Sequence, residues 1–341
     1  MDNNIINGED FDVEQPKLDR NKKKRILLKN EKKISEVVNS GLVVTSKGRF
    51  YFVKKTNDDS NFLYKCVVSG SIQINHNHKT ILTVGDKCEF IAPNDNTDGQ
   101  GLGRITKVEE RETFLLRKSI NGNNEDVIAA NMHQVLVILA AENPKYNLHM
   151  LDKILISCEY GSLKPLICIN KMDLVESEKV FEDFKEYIRL GYQVFYISAL
   201  KLENLKQVYK AIENKVTLFI GVSGVGKSTL VNSLFGKEIQ KVGKLAKNLR
   251  GRHTTTSCNY LFLDNNTAII DSPGFREFDL FGITKEELPF YFPDFEPFYR
   301  KCKFQPCSHT HEPDCAVKKA LQKGKISKRR YFSYLTIYEN L

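Results

Sequence analysis

Four short motifs, set out in an unusual order, constrain this 341-residue chain more than any other feature. Asn170-Lys171-Met172-Asp173 has the form of a base-reading motif, and Ser198-Ala199-Leu200 that of its usual follower. A phosphate loop, Gly221-Val222-Ser223-Gly224-Val225-Gly226-Lys227-Ser228, comes only after both, and Asp271-Ser272-Pro273-Gly274 comes last. A domain of this kind ordinarily opens on its phosphate loop and reads the base near its end. The rotated order is that of a circularly permuted nucleotide-binding domain. The new break falls just after the turn that senses the γ-phosphate.

The texture around the motifs fits such a domain. Val135–Ala141 is a continuous apolar run, the pattern of a strand buried on both faces. Pro165–Ile169, Gln193–Ile197, Thr217–Ile220 and Thr267–Ile270 are apolar strands, and each ends at a motif. Motifs placed in that way lie along the C-terminal edge of a parallel sheet, where α/β ligands bind. Leu148–Tyr160, Lys179–Leu190, Leu202–Glu213 and a segment starting near Lys227 have helical period, and another strand is expected near Cys258–Leu263.

The residue types state the chemistry. Gly221, Gly224 and Gly226 let backbone N–H groups of Val222, Ser223 and Val225 approach phosphates at a helix N-terminus, where any Cβ would obstruct them. Lys227 is placed to reach the β- and γ-phosphates, Ser228 to give a hydroxyl to Mg²⁺, and Thr229 follows in the same turn. Asp173 can accept both guanine N1–H and N2–H₂, a donor pair that adenine lacks. Asn170 can bond the base and brace the phosphate loop, the Lys171 stem can lie along the ring, and Met172 completes the motif. Ser198-Ala199 would offer a backbone N–H to guanine O6. Asp271 suits the outer shell of Mg²⁺, and the Gly274 N–H suits the γ-phosphate. Phe275 stands where many GTPases carry a Gln that orients the attacking water, so another group is needed. Arg250-Gly251-Arg252-His253-Thr254-Thr255-Thr256 lies where a switch belongs. With Lys227, His253 and Thr255 are therefore the catalytic candidates, the histidine having an equal claim to a surface or RNA-binding role.

On either side of this domain the chain changes character. Residues 1–33 are polar and Lys-rich and read as a flexible basic arm. Residues 34–118 are all-β, with strands at Gly41–Thr45, Arg49–Val53, Phe62–Val68, Lys87–Ala92 and Gly103–Glu109, the last leading into Arg111–Arg117. Asn94 to Gly103 is a turn-rich loop. Five short strands fit a small closed barrel, of OB type or, in competition, SH3-like. Residues 119–283 hold the permuted domain, and residues 284–341 read as short helices around Cys302-x4-Cys307-x-His309-x5-Cys315. Three thiolates and an imidazole make a closed structural zinc set, with an iron–sulfur centre as the alternative and His311 as the alternative ligand to His309. The other five cysteines lie singly in apolar segments, as core residues of a reducing compartment do.

The formal charge of +9 is unevenly spread. Lys17 to Lys33 carries nine basic residues against Asp19 and Glu31, while Lys241 to Arg252 carries five and Lys318 to Arg330 seven, neither with an acid. Such clusters suit phosphate-rich partners. No run approaches the ~20 apolar residues of a membrane span, and the N-terminus has no signal-peptide pattern. A cytoplasmic, membrane-free monomer is the expectation.

The motif order, the Arg-Gly-Arg-His-Thr-Thr run, the apolar residue after Asp-x-Pro-Gly and the Cys/His spacing together resemble the bacterial RsgA (YjeQ) GTPases. The resemblance covers roughly Ile34 to Tyr338. It implies a multidomain α/β protein: an OB domain, a circularly permuted P-loop GTPase and a C-terminal helical zinc domain. It also implies GTP hydrolysis in late maturation of the small ribosomal subunit, with binding to its rRNA, stimulation by that subunit and release afterwards. A nucleotide-gated RNA-binding protein, or a permuted GTPase acting on another ribosomal or membrane target, are the rival readings. Ser272 stands where the family usually has Thr, and the basic arm matches no motif of the family.

Overall fold

Strand β1 (Val38–Lys47) turns through Gly48, whose φ of +60° suits a glycine, into β2 (Phe50–Lys55). With β3 (Tyr64–Ile74), β4 (Lys87–Ile91) and β5 (Gly103–Val108), these strands wrap in the order β1-β2-β3-β5-β4, and β4 pairs back onto β1 to close the barrel. Only the β3–β5 pairing is parallel. This is the OB order, which settles the choice between the two barrel types expected. Alternate residues point inward, so that Val43, Val53, Cys66, Cys88, Phe90, Ile105 and Val108 fill the interior. Gly41 sits where a Cβ would come within 2.4 Å of Val53 Cγ1, so glycine lets the strands close there. The computed structural model describes residues 37–58, 60, 62–92, 102–119, 124–235 and 258–341. The basic arm, most of the Asn94–Gly103 loop, the Lys241–Arg252 run and the Arg250–Thr256 switch with His253 and Thr255 lie outside the described residues.

The stretch expected to continue from β5 departs from that expectation. Strand β6 (Phe114–Lys118) does not join the barrel but pairs with β7 (Glu125–Ala130) in a separate two-stranded ribbon, and β7 was not expected at all. Buried Arg111 explains the break. It donates to both carboxylate oxygens of Asp86, at 2.7 and 2.8 Å, and to the Thr80 carbonyl at 2.9 Å, turning the chain away from the barrel.

The α/β portion is built on β8 (Gln134–Ala140), β9 (Lys164–Asn170), β10 (Gln193–Tyr196), β11 (Val216–Ile220), β12 (Asn259–Phe262) and β13 (Ala268–Asp271). They are ordered β10-β9-β8-β11-β13-β12, all parallel except β12. Alternation along β8 separates the two faces. Leu136, Ile138 and Ala140 join one cluster with α3 (Leu205–Ile212) and α4 (Lys227–Phe235). Val135, Val137 and Leu139 join the other, with α1 (Leu148–Tyr160) and α2 (Ser177–Arg189). Asn147 starts α1 by accepting from the backbone N–H groups of His149 and Met150 at 3.0 and 3.1 Å. Thr45 of β1 pairs with Asn259 of β12, so the two sheets run on as one of eleven strands.

The C-terminal segment comprises a 3₁₀ turn at Leu288–Tyr291 and helices α5 (Glu296–Tyr299), α6 (Ala316–Gln322) and α7 (Lys328–Asn340). It packs on the α1 face through a buried charge network. Arg330, 2 % exposed, donates to Asp152 Oδ1 at 2.6 Å and Asp294 Oδ1 at 2.7 Å. Arg329 reaches Asp152 Oδ2 at 2.8 Å and Glu186 at 3.3 Å, and the Tyr187 hydroxyl donates to Asp152 at 2.7 Å. Burial would lower the Arg330 pKa, but Asp152 and Asp294 overcome it and hold the guanidinium well above its ordinary value. Part of the positive charge of Lys318–Arg330 is thus committed within the chain. Lys318 bonds to the Thr310 and Glu312 carbonyls and Lys319 to Asp314, so only Lys323, Lys325 and Lys328 of the seven stand exposed without such ties.

Candidate nucleotide site and metal centre

The four sequence motifs meet at one edge of the sheet. Lys227 opens α4 at the end of the loop that leaves β11, Asn170 ends β9, Ser198 follows β10 and Asp271 ends β13. Gly224 and Gly226 have φ of +86° and +93°, which other residues rarely adopt. A Cβ at Gly226 would lie 2.4 Å from Asn170 Nδ2, and one at Gly221 would lie 2.2 Å from the Ile138 carbonyl. The loop is therefore pressed against its neighbours and leaves Ser223, Gly224, Ser228 and Thr229 exposed at the mouth.

Asn170 is the hub. Its Nδ2 donates to the Val225 carbonyl of the phosphate loop at 2.9 Å, and its Oδ1 accepts from the Ala199 N–H at 2.9 Å. One buried amide thus joins phosphate loop, base-reading motif and follower loop. The bracing role was expected. A backbone N–H of Ser198-Ala199 was expected for guanine O6, and the Ala199 N–H is the one that donates to Asn170. Lys171 stands in the left-handed region at φ +63°, Met172 and Asp173 form a 3₁₀ turn, and Ser198 closes a bridge to Glu203. Asp173 Oδ1 is buried yet has no hydrogen-bond donor among the described residues. A buried carboxylate oxygen left so is costly unless a ligand supplies the donor.

On the phosphate side, Lys227 is buried and folds over the loop, donating to the Gly221 carbonyl at 2.7 Å and the Val222 carbonyl at 3.3 Å. Burial lowers its pKa, and Asp271 opposes that shift. Ser272 is buried, with its hydroxyl on the Phe219 carbonyl at 2.8 Å. A Cβ at Gly274 would lie 2.9 Å from Ser223 Cα and 3.1 Å from Lys227 Nζ, so the turn touches the phosphate loop. Ser223 N–H also donates to the Phe275 carbonyl at 3.1 Å. The Phe275 ring is buried 5.7 Å from that of Phe278. It is a packing residue and offers water no polar atom. A cleft of about 410 Å³ opens beside this turn, between Ser46 and Tyr51 of the barrel, Cys258 and Ser272–Phe275.

The second site lies in the C-terminal segment. The donor atoms of Cys302, Cys307, His309 and Cys315 all fall within 4.8 Å of one another. His309 Nδ1 is 3.5 Å from Cys302 Sγ and 3.3 Å from Cys315 Sγ, while His311 instead bonds Thr310 and is not in the group. Burial pushes the Cys307 thiol up to about 12 and raises Cys315. Backbone N–H groups of Ala316 and Lys318 point at the sulfurs of Cys302 and Cys315, at 3.3 and 3.5 Å. Thiols that burial disfavours as thiolates, already given N–H donors, fit a cation that would complete the charge balance. Tyr331 and Tyr334 hold the ligand loop by donating to the carbonyls of His309 and Ser308 at 2.7 and 2.6 Å. These tyrosines and the Arg330 network carried no sequence signal, since their partners lie 22 to 178 residues away.

Comparison with known proteins gives the chain a family. The family model described as RsgA GTPase matches residues 108–281. The chain is 38 % identical over 309 residues to the small ribosomal subunit biogenesis GTPase RsgA of Chlorobaculum tepidum, covering 89 % of this chain and 98 % of that one. It is 36 % identical over 306 residues to the protein of the same name from Clostridium botulinum strain 657, covering 88 % and 97 %. Among solved structures it resembles YjeQ from Thermotoga maritima, with a TM-score of 0.67, 26 % identity and coverage of 89 % and 99 %. It also resembles YloQ, a circularly permuted GTPase, with a TM-score of 0.64, 26 % identity and coverage of 90 % and 96 %. On the family match and on relatives of this similarity over most of its length, the chain belongs to the RsgA GTPase family.

Proposed function

We propose that this GTPase acts in late maturation of the small ribosomal subunit, binding its rRNA and leaving once GTP is hydrolysed. The observation that carries the nucleotide assignment is the buried, donorless Asp173 Oδ1, held beside an Asn170 that also grips the phosphate loop. Guanine N1–H and N2–H₂ are the donors such an oxygen lacks, and adenine cannot provide them. In this reading Gly221–Thr229 surround the phosphates, and Lys227 meets the β- and γ-oxygens. Ser228 and Asp271 serve the Mg²⁺ that accompanies GTP, Gly274 reads the γ-phosphate, and Asn170, Lys171, Met172, Asp173, Ser198 and Ala199 enclose the base. Water attacks the γ-phosphorus, the bond to the bridging β–γ oxygen breaks, and GDP and phosphate leave. Cys302, Cys307, His309 and Cys315 hold one structural zinc.

The proposed domains are residues 34–118, 119–283 and 284–341, preceded by a basic arm. No helix among the described residues is long and apolar enough to cross a membrane, which supports a cytoplasmic protein, and we take it as a monomer. Because Phe275 brings no water-orienting group, hydrolysis by the free protein is slow. Subunit binding completes the site through His253 or an RNA group, an effect worth roughly 10³–10⁵ in rate where a partner supplies the missing group.

Turnover of GTP titrated with separated ribosomal subunits tests this. Saturable stimulation by the small subunit alone is the expected result, and equal rates with and without it would overturn the reading. His253→Ala should keep GTP and subunit binding yet lose most of the stimulated rate, whereas Lys227→Ala should fail with or without subunits. Full stimulation in His253→Ala would remove the histidine from the mechanism.

A further inference from the structure

Helix α7 (Lys328–Asn340) contains no cysteine or histidine, yet it grips the loop that carries the Cys/His cluster. That loop needs a grip. His309 projects its ring from a left-handed backbone at φ +59°, and Asp314 stands in the same region at +55°, a conformation of higher energy for residues with a Cβ. Inside the loop, the Ser308 N–H donates to Glu312 Oε1 at 2.7 Å, and the Ser308 and Thr310 hydroxyls lie 2.6 Å apart. From α7, Tyr334 donates to the Ser308 carbonyl at 2.6 Å and Tyr331 to the His309 carbonyl at 2.7 Å. These two carbonyls flank the Cα of His309, so the tyrosines fix its backbone on both sides. The Phe295 ring meets the imidazole edge-on, with centroids 5.8 Å apart, and lies 4.9 Å from the Tyr334 ring.

The helix has a second grip, on the α/β portion. Arg330 lies one turn before Tyr334, on the same face of α7. It spans Asp152 of α1 at 2.6 Å and Asp294 at 2.7 Å, and Asp294 directly precedes Phe295. Ser333 Oγ adds a bond to His149 of α1 at 2.9 Å. Asp152, Asp294, Phe295, Arg330 and Tyr334 are all buried, so a continuous packed path joins α1 to the backbone of His309. We propose that Tyr331 and Tyr334 are positioning residues for the metal, and that Asp152, acting through Arg330, sets how long the Cys/His segment retains it. Groups that orient a ligand from outside the metal's own shell govern metal affinity. The Cys/His segment is thus closed from the α/β portion rather than being a self-sufficient module. The inference rests on the zinc assignment proposed above.

Release of zinc from the loaded full chain into an excess of a chromophoric chelator tests it, with the melting temperature measured alongside. Wild-type protein that carries no zinc would defeat the metal assignment itself, separately from the role of the tyrosines. Tyr331→Phe and Tyr334→Phe each keep the ring and remove one hydroxyl. Each should speed release roughly three- to tenfold, as loss of one hydrogen bond implies. Asp152→Asn, in another part of the fold, should speed it in the same direction. So should Arg330→Lys, whose single ammonium cannot span two carboxylates as the guanidinium fork does. Ile105→Val opens a small cavity in the barrel, off this path; it should lower the melting temperature and leave release at the wild-type rate. Wild-type release in both tyrosine variants would overturn the positioning role. Wild-type release in both Asp152→Asn and Arg330→Lys would overturn the reach from α1. Release in Ile105→Val as fast as in the tyrosine variants would overturn both, since it would then report general stability alone.

Discussion

At the scale of the residue, the site turns on buried polar atoms and where their partners come from. Asn170 uses both ends of its amide within the chain, at 2.9 Å each. Asp173 Oδ1 has no donor among the described residues, and in the proposed reading this makes guanine selection a matter of one donor pair. Asp173→Asn replaces an acceptor by a donor, so GTP binding should weaken by about 2 kcal/mol or more while xanthosine triphosphate gains relative to GTP. Calorimetric titration of the two nucleotides is the measurement, and an unaltered preference would remove Asp173 from base recognition. These residues were legible in the sequence because each motif condenses a whole local geometry into four to eight positions.

At the scale of the element, the Cys/His segment and its last helix act together. Cys315 is both a cluster member and the residue whose sulfur accepts the Lys318 N–H at the start of α6, so the site and the helix begin on the same atom. Metal analysis of protein purified without added metal should find close to one zinc per chain, and Cys307→Ser should lower the melting temperature of the C-terminal segment. Iron, with visible charge-transfer absorption, would contradict the assignment. Below α6, Arg330 stands between two carboxylates that have no comparable route to water. Arg330→Met would leave buried Asp294 without its cation and Asp152 with Arg329 and Tyr187 alone, a loss of about 3–5 kcal/mol for a broken buried pair. Denaturant unfolding would register it, and an unchanged midpoint would show that the pair does not hold α7 to α1. Cys spacing announced the first arrangement. The second stayed hidden because Asp152 and Arg330 are 178 residues apart and each, alone, reads as a surface charge. The β6–β7 ribbon was missed for a related reason: β7 is a short apolar stretch after a polar turn, and only its register with β6 defines it.

At the scale of the whole molecule, the described chain from Val38 onward is one compact unit, and its barrel and α/β sheet share a seam. The Thr45 hydroxyl meets the Cys258 carbonyl at 3.1 Å and Asn259 Oδ1 at 2.9 Å, and Cys258 lines the cleft that reaches Gly274. A partner gripping the barrel thus acts on the strand beside the γ-phosphate turn. Thr45→Val should leave intrinsic GTP binding near wild type and reduce subunit-stimulated turnover several-fold. Undiminished stimulation would place the coupling elsewhere. The same seam dictates an order of birth. On the side of β1 where β4 covers Val38–Leu42, the position opposite Thr45 is filled only by a strand made 214 residues later. At 5–20 residues per second that gap lasts on the order of 10 to 40 s on the ribosome. Throughout it half of one strand edge stands bare, open to the wrong partner. The chain also holds its base-reading half well before Lys227 exists to grip a phosphate. In the proposed reading a nascent copy therefore has no complete grip on GTP until β12 has covered that edge and Asp271–Gly274 have followed it.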